Sequence, residues 1–243
     1  MFSFTIAVLV VSATSVIQSL FGVGVLLFGT PWLLLIGLDF IPALQFLLPV
    51  SVSISVLQLV GDAEHVEKGM ISKLGLLALP AIAITLWMAS TYRPPLDLVV
   101  AAIVAWVALK DRVGWIGRSL EALLRYERTY IAFMGAVHGA SNLGGGLLTA
   151  WVYGKGLHGR AARGTVAACY LLFALVQLAT LAVGPASWQP TLAQNALLTL
   201  VAATVFLLTD RLLFARVNAA QFRKGLEVLL LATSVLLVAR SVL

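Results

Sequence analysis

Two short turns, each in the middle of an apolar hairpin, hold the residues of this chain best suited to binding a ligand. We call residues 18–24 the first tip and residues 138–146 the second tip. Glycine lets the backbone approach a ligand closely, and the free N–H groups at the start of a helix bind anions. Serine, asparagine, glutamine and histidine add neutral donors. We therefore interpret the tips as one anion site with ten candidate substrate-binding residues: Gln18, Ser19, Gly22, Gly24, His138, Ser141, Asn142, Gly144, Gly145 and Gly146.

Helix packing offers another explanation for these residues. Small residues are common where helices cross closely in a membrane, but two glycine turns at corresponding places in the chain favour a site. His138 could titrate near neutral pH or could be a neutral, hydrogen-bonded side chain at a helix junction, and both interpretations stay open. Gln45, Gln58 and Gln177 lie within apolar stretches. We expect these three to bridge helices rather than to bind substrate.

The composition indicates that the tips belong to a membrane protein. Apolar residues make up 61% of the 243-residue chain and charged residues 11%, whereas a soluble domain carries about 25% charged residues. Apolar stretches of about 20 residues, the length that crosses a bilayer, recur from end to end. The lipid bilayer is thus an expected partner. The net charge of +6 comes from basic residues in short loops, so we expect no nucleic-acid partner.

The apolar stretches follow the same order in the two halves of the chain. Each half is predicted to hold a hairpin and three spans, at 2–20, 25–37, 42–61, 74–91 and 96–110, and again at 129–142, 145–154, 165–184, 194–210 and 224–241. The outgoing hairpin arms, at 25–37 and 145–154, are too short to cross a bilayer, which takes roughly 20 helical residues. We therefore predict re-entrant half-helices. Broken helices at matching positions in two halves of a membrane protein indicate a transport site.

The distribution of lysine and arginine predicts that the second half is inverted relative to the first. Nearly all basic residues fall in four predicted loops, at Lys68–Lys73, Lys110–Arg128, Lys155–Arg163 and Arg211–Lys224. The positive-inside rule places these loops in the cytoplasm and both termini outside. The predicted fold is an all-α polytopic membrane protein with two inverted repeats, each a re-entrant or broken helical hairpin plus three transmembrane helices. The repeats cover 1–110 and 129–243, with a cytoplasmic linker at 111–128.

A faint internal alignment supports two repeats. Gly22-Val-Gly24 aligns with Asn142-Leu-Gly144 at an offset of 120 residues. Val56-Leu-Gln-Leu59 aligns with Leu175-Val-Gln-Leu178 at an offset of 119. The predicted spans hold almost no acidic residue, Glu227 being the nearest exception, so potential-driven export and coupling through His138 or bound ions both stay open.

The sequence offers no pattern typical of an enzyme. It has no metal-ligand cluster, no paired carboxylates and no Ser/His/Asp arrangement compatible with the topology, so we expect no enzymatic activity, cofactor or metal. The single cysteine, Cys169, lies in an apolar span. Core packing and a reactive thiol both stay open as its role.

Short motifs in both halves resemble the TauE/SafE sulfite exporter family, also called the TSUP transporters. The second half carries Asn142-Leu-Gly-Gly-Gly-Leu147, and the first carries Gly22-Val-Gly24 with Pro31 nine residues after Gly22. The segment from Asp210 to Glu227 also resembles the end of family members. The chain departs from the family pattern at Val25 and Asn142, each standing where a glycine is expected.

The resemblance implies a function in membrane transport. It implies a multi-pass protein of the bacterial inner (cytoplasmic) membrane that exports, or facilitates the passage of, sulfite, thiosulfate or an organosulfonate. Its partner would be this small anionic substrate, and a homo-oligomer is left open. Two alternatives remain: a carrier of another small anion, and a non-transporting membrane assembly subunit.

Overall fold

Every element of the described structure is helical. A computed structural model describes residues 3–92 and 124–213, together with a few isolated residues outside these ranges. The predicted spans at 96–110 and 224–241 and most of the linker 111–128 lie outside the described residues. Eight α-helices and one 3₁₀ turn at Ala63–His65 follow in chain order within the described ranges: α1 Phe4–Phe21, α2 Val25–Leu35, α3 Phe40–Asp62, α4 Lys68–Tyr92, α5 Glu127–Ser141, α6 Gly145–Gly154, α7 Gly159–Val183 and α8 Leu192–Leu213. The predicted all-α polytopic class is confirmed.

The hairpins have the short outgoing arms that the sequence predicts. Helix α2 has 11 residues and α6 has 10. At 1.5 Å per residue each reaches about 15 Å, which is half of a hydrocarbon core of about 30 Å. Helix α2 is also apolar on every side, and nine of its residues are buried. Helix α2 therefore lies in the interior of the protein, as its position next to both tips requires.

Four of the remaining helices, α3, α4, α7 and α8, are long and apolar enough to cross a membrane. On α4 and α8 large apolar side chains such as Leu76, Ile84 and Leu200 are exposed. These faces are not covered by another described helix, and apolar faces of this kind are suited to contact lipid tails in a bilayer.

The basic residues between the spans are mostly helical, which corrects the predicted loops. Helix α4 begins at Lys68 rather than at residue 74, so Lys68 and Lys73 lie in its first turns. Helix α7 begins at Gly159 rather than at 165 and includes Arg160 and Arg163. The predicted starts of these two helices were wrong because a hydropathy pattern is interrupted by the first charged residue. The backbone keeps its helical hydrogen bonds while long basic side chains extend toward water.

Packing between the helices is reciprocal between the two halves. Helix α1 packs against α8, and its counterpart α5 packs against α4. Helices α3 and α7 pack against each other, and each also contacts the last described helix of the other half. Exchanging the halves therefore reproduces the pattern of contacts. This pattern is the one expected of two repeats related by a two-fold axis, and the inversion itself stays a prediction.

A charged cluster joins α4, α5 and α6 at the end predicted to be cytoplasmic. The Glu127 carboxylate accepts hydrogen bonds from Lys73 Nζ at 2.8 Å and from the Trp151 indole at 3.2 Å, and Lys155 Nζ lies 2.9 Å from it. The Lys73 ammonium, followed by that of Lys155, lowers the pKa of Glu127 from 4.5 to about 2. The folded state thus favours the ionised carboxyl group.

We expect Glu127→Gln to lower the melting temperature of the detergent-solubilised protein at neutral pH. A lowered folded-state pKa stabilises the protein fully above the unfolded value of 4.5, and this contribution falls as the pH drops toward about 2. The difference in melting temperature between wild type and variant should therefore shrink over that interval. The exposed Glu64 provides the control, since Glu64→Gln should change little at any pH. A Glu127→Gln difference that is constant across the interval would contradict the assignment.

Candidate functional site

Both incoming arms end in the same backbone conformation. Helix α1 is capped by Gly22, with φ of 74°, whose N–H donates to the Gln18 carbonyl at 2.8 Å. Helix α5 is capped by Asn142, with φ of 64°, whose N–H donates to the His138 carbonyl at 2.7 Å. Asparagine tolerates this left-handed region better than other side chains do. Asn142 therefore keeps the turn although it departs from the glycine of the family pattern.

The second glycine of each turn allows the outgoing arm to cross the incoming arm at very short range. A Cβ placed on Gly24 would lie 2.6 Å from the Thr14 carbonyl oxygen. A Cβ placed on Gly144 would lie 2.6 Å from His138 Cβ and 2.8 Å from the Met134 carbonyl oxygen. These glycines thus have the packing role that the sequence left open.

At the first tip, both polar atoms of the Gln18 side chain have hydrogen-bond partners within the protein. Its amide oxygen accepts a hydrogen bond from the Val25 N–H at 2.9 Å, at the start of α2. Its amide nitrogen donates to Gln58 Oε1 at 3.1 Å. The Ser19 hydroxyl donates to the Val16 carbonyl of its own helix at 2.8 Å. Gln18 therefore acts as a cap for α2 in this conformation.

At the second tip, Asn142 connects the two hairpins. Its amide nitrogen donates to Thr30 Oγ1 of α2 at 2.7 Å, and its amide oxygen accepts from Gln177 Nε2 of α7 at 3.3 Å. The Ser141 hydroxyl donates to the Val137 carbonyl at 2.6 Å. The structure thus brings the second tip against α2, the half-helix of the other hairpin.

Two fully buried polar side chains next to the second tip lack hydrogen-bond partners among the described residues. Both imidazole nitrogens of His138 are unpartnered, and so is the hydroxyl of Tyr170 on α7. Their rings are 6.0 Å apart in an edge-to-face arrangement, and the Phe173 ring lies 4.5 Å from that of His138. The Tyr170 hydroxyl lies against Gly145, where an added Cβ would overlap it. Unpaired donors at a helix start are suited to receive an anion.

All ten candidate residues are buried. Sequence reasoning missed Thr30 and Tyr170. Thr30 is 112 residues from its partner Asn142, and no local pattern indicates that pairing. Tyr170 does carry a signal, because it lies seven residues before Gln177 and so shares a face of α7 with it.

The glutamines of the spans connect structural elements, as the sequence predicts. Gln58 and Gln177 each hydrogen-bond to a residue of a tip, Gln18 and Asn142 respectively. Gln45 instead bridges α3 to the segment before α8, through the Ser187 carbonyl at 2.9 Å and the Gln189 N–H at 3.0 Å.

A buried charge cluster borders the first tip. Arg163 lies 3.2 Å from Asp62 of α3 and 2.7 Å from Asp210 of α8. The Arg163 Cγ would lie 3.6 Å from a Cβ atom added to Gly22. The sequence assigned Arg163 to membrane orientation, but the structure shows that it also ties three helices together beside the first tip.

A cavity of about 350 Å³ lies at the opposite end of α2 from the tips. Gly37, Asp39, Pro42 and Gln189 are among its lining residues. The exposed Asp39 carboxylate disfavours an anion there. This cavity is therefore not the predicted site.

Metal or thiol chemistry gains no support from the described part of the chain. No group of three or more His, Cys, Asp or Glu side chains that could hold a metal occurs there. Cys169 is a free, buried thiol on α7.

Comparison with protein families gives one result that covers nearly the whole chain. The model of the family described as sulfite exporter TauE/SafE matches residues 6–237. No curated protein and no solved structure matches the chain.

Proposed function

Because the chain belongs to the sulfite exporter TauE/SafE family, we propose that it carries a small sulfur-containing anion across the bacterial inner membrane. The family consists of membrane transporters, and the four apolar spanning helices agree with that assignment. We further propose that sulfite, thiosulfate or an organosulfonate binds between the two tips near the middle of the membrane.

The observation that carries this proposal is the pair of broken helices. Each half has an incoming arm followed by a left-handed residue, Gly22 or Asn142, and then by a half-helix, α2 or α6, whose first residues are buried. When a half-helix starts inside the membrane, its free N–H groups and positive dipole end point toward a ligand bound in front of its first residue. Neutral donors of this kind attract an anion without a fixed countercharge, so the anion can also leave.

The proposed transport cycle relies on relative motion of the two halves. Their reciprocal packing supports two equivalent bodies, and the inverted orientation would let each body close one side of the membrane. Since all ten candidate residues are buried, we assign this conformation to the occluded state. Opening to either side requires α3 and α7 to separate from the tips that they contact.

A non-transporting assembly subunit is the second candidate, and the burial of the tips favours it. Tips that are packed and hydrogen-bonded, as Asn142 is with Thr30 and Gln177, are what a purely structural hairpin would show. The two candidates differ in whether an anion crosses the membrane.

An anion-flux assay with purified protein in liposomes tests the proposal. Liposomes loaded with sulfite, thiosulfate, sulfoacetate, phosphate or nitrate are given a membrane potential, and efflux is compared with that from protein-free liposomes. We expect at least one sulfur-containing anion to leave several-fold faster with the protein and to raise its melting temperature. Flux of phosphate or nitrate alone would indicate a carrier of another anion. An absence of both flux and stabilisation would favour the assembly subunit.

A further inference from the structure

We propose that each chain binds a single anion, at the start of α6, and that the Tyr170 hydroxyl donates a hydrogen bond to it. This inference rests on the proposed function and refines its site. Two tips related by a repeat would ordinarily offer two equivalent half-sites. The structure makes them different, and the difference lies in which groups already have partners.

At the first tip, one N–H at the start of α2 already donates to a side chain of the protein. The Gln18 amide oxygen accepts the Val25 N–H at 2.9 Å, at the first residue of α2. The nitrogen of the same amide donates to the Gln58 amide oxygen, while the Gln58 Nε2 has no partner among the described residues. A carboxamide oxygen at a helix start is a neutral counterpart of an anion oxygen, because both accept from the same free N–H groups. An anion that accepts the Val25 N–H would therefore have to displace the buried Gln18 side chain, whose oxygen and nitrogen are both hydrogen-bonded.

The second tip lacks this internal cap. His138 stands at the position equivalent to Gln18, at the repeat offset of 120 residues. Neither of its nitrogens makes a hydrogen bond of ordinary geometry within the described residues. No side-chain oxygen there accepts an N–H of α6 as Gln18 accepts that of Val25, since the Ser141 hydroxyl accepts from Leu143, before α6 begins. The Gln177 side chain, whose amide oxygen has no other partner, lies within hydrogen-bonding reach of the imidazole. The second tip therefore has no side-chain oxygen in the place that the Gln18 amide oxygen takes at the first tip.

Tyr170 supplies a hydrogen-bond donor at the start of α6, where the oxygen of a bound anion would accept it. The tyrosine is 1% exposed, and its unpartnered hydroxyl touches Gly145, the first residue of α6. A buried O–H without an acceptor is costly, and an anion oxygen is an acceptor that would satisfy it. The α6 N–H groups, the Tyr170 O–H and a His138 N–H together suit an anion with two or more oxygens on one centre. Sulfite, thiosulfate and sulfonates have that form.

In the first half a serine stands at the position equivalent to the tyrosine. At the offset of 119 residues that aligns α3 with α7, Tyr170 corresponds to Ser51. The Ser51 hydroxyl is buried and also lacks a partner among the described residues. Ser51→Ala is therefore a matched control for Tyr170→Phe, because each variant removes one buried, unpartnered hydroxyl from an equivalent place.

The test compares these variants in the liposome flux assay and measures binding stoichiometry on the wild type. For the anion that the wild type moves, we expect Tyr170→Phe to raise KM about tenfold or more, the usual loss for a hydrogen bond to a charged group. Ser51→Ala should stay within about twofold of wild type. Titration calorimetry with the same anion should give one site per chain. Equal melting temperatures in the absence of anion would show that phenylalanine preserves the packing.

The outcomes separate this inference from the proposed function. A wild type that neither moves nor binds any of the anions overturns both. If the wild type transports but Tyr170→Phe keeps the wild-type KM, or Ser51→Ala has an equal effect, only the role of Tyr170 is overturned. Two anions per wild-type chain would overturn the single site, and this readout does not depend on the folding of any variant.

Discussion

Replacing Gly144 by alanine is expected to abolish transport and to reduce sharply the yield of folded protein. The new Cβ would lie 2.6 Å from His138 Cβ, 2.8 Å from the Met134 carbonyl oxygen and 3.1 Å from His138 Cα. Two of these atoms are backbone atoms in the middle of α5, so they cannot move without disturbing that helix. Overpacking a tight contact costs about 1–3 kcal/mol or more. Fluorescence-detected size-exclusion chromatography and the flux assay measure the two effects.

Gly154→Ala is the matched control for this substitution. Gly154 ends the same helix, α6, and a Cβ there would meet nothing within 4 Å. The control should therefore fold and transport like the wild type. Gly24→Ala should resemble Gly144→Ala in folding, because its Cβ would lie 2.5 Å from the Gln18 backbone nitrogen. Normal folding and flux of Gly144→Ala would show that the hairpin arms are not packed as the structure has them.

The two tips show why glycine spacing predicts a break in a helix better than it predicts a ligand. Gly22 is required by its positive φ, and Gly24 and Gly144 by the close crossing of the arms. None of these constraints involves a ligand. The feature that points to binding is instead the contrast between Gln18, whose amide oxygen caps α2, and Tyr170, whose hydroxyl at the start of α6 has no partner among the described residues.

Much of the fold could be predicted from the sequence because it depends on local patterns. The outgoing arms α2 and α6 follow from the length of an apolar run between a glycine turn and a loop. The starts of α4 and α7 could not be predicted in this way, because hydropathy does not register that a basic side chain can extend to water from inside a helix. Burial also depends on the neighbours of a helix, and α2 is interior only because the helices around it cover every side.

The site was only partly predictable for a related reason. Candidates within the tips were found from residue type and spacing, and all lie buried at the hairpin turns. Thr30 and Tyr170 reach the second tip from other helices, through contacts that cross large sequence separations. Such contacts are set by helix packing angles, which one sequence does not specify.

Arg163→Ala is expected to cause a large loss of stability and to weaken closure beside the first tip. The Arg163 side chain is 10% exposed and lies between Asp62, which is 8% exposed, and Asp210. Removing one member of a buried ion pair costs about 3–5 kcal/mol, mainly because the remaining charge stays buried and unpaired. Asp62, Arg163 and Asp210 belong to α3, α7 and α8, so the loss would loosen three helices at once.

The location of this cluster links its stability to transport. Because the aliphatic part of Arg163 lies next to Gly22, opening of the first tip toward the predicted cytoplasmic side would require Arg163 to move away. We therefore expect Arg163→Ala to lower the melting temperature by roughly 10 °C and to increase labelling of a cysteine introduced at Ser19, in the first tip, by a water-soluble thiol reagent. Arg160→Ala is the matched control. Arg160 is 69% exposed and lies 3.9 Å from the same Asp62, and exposed pairs contribute about 0–1 kcal/mol. If the two alanine variants melt and label alike, Arg163 orients the helix in the membrane without holding the three helices closed.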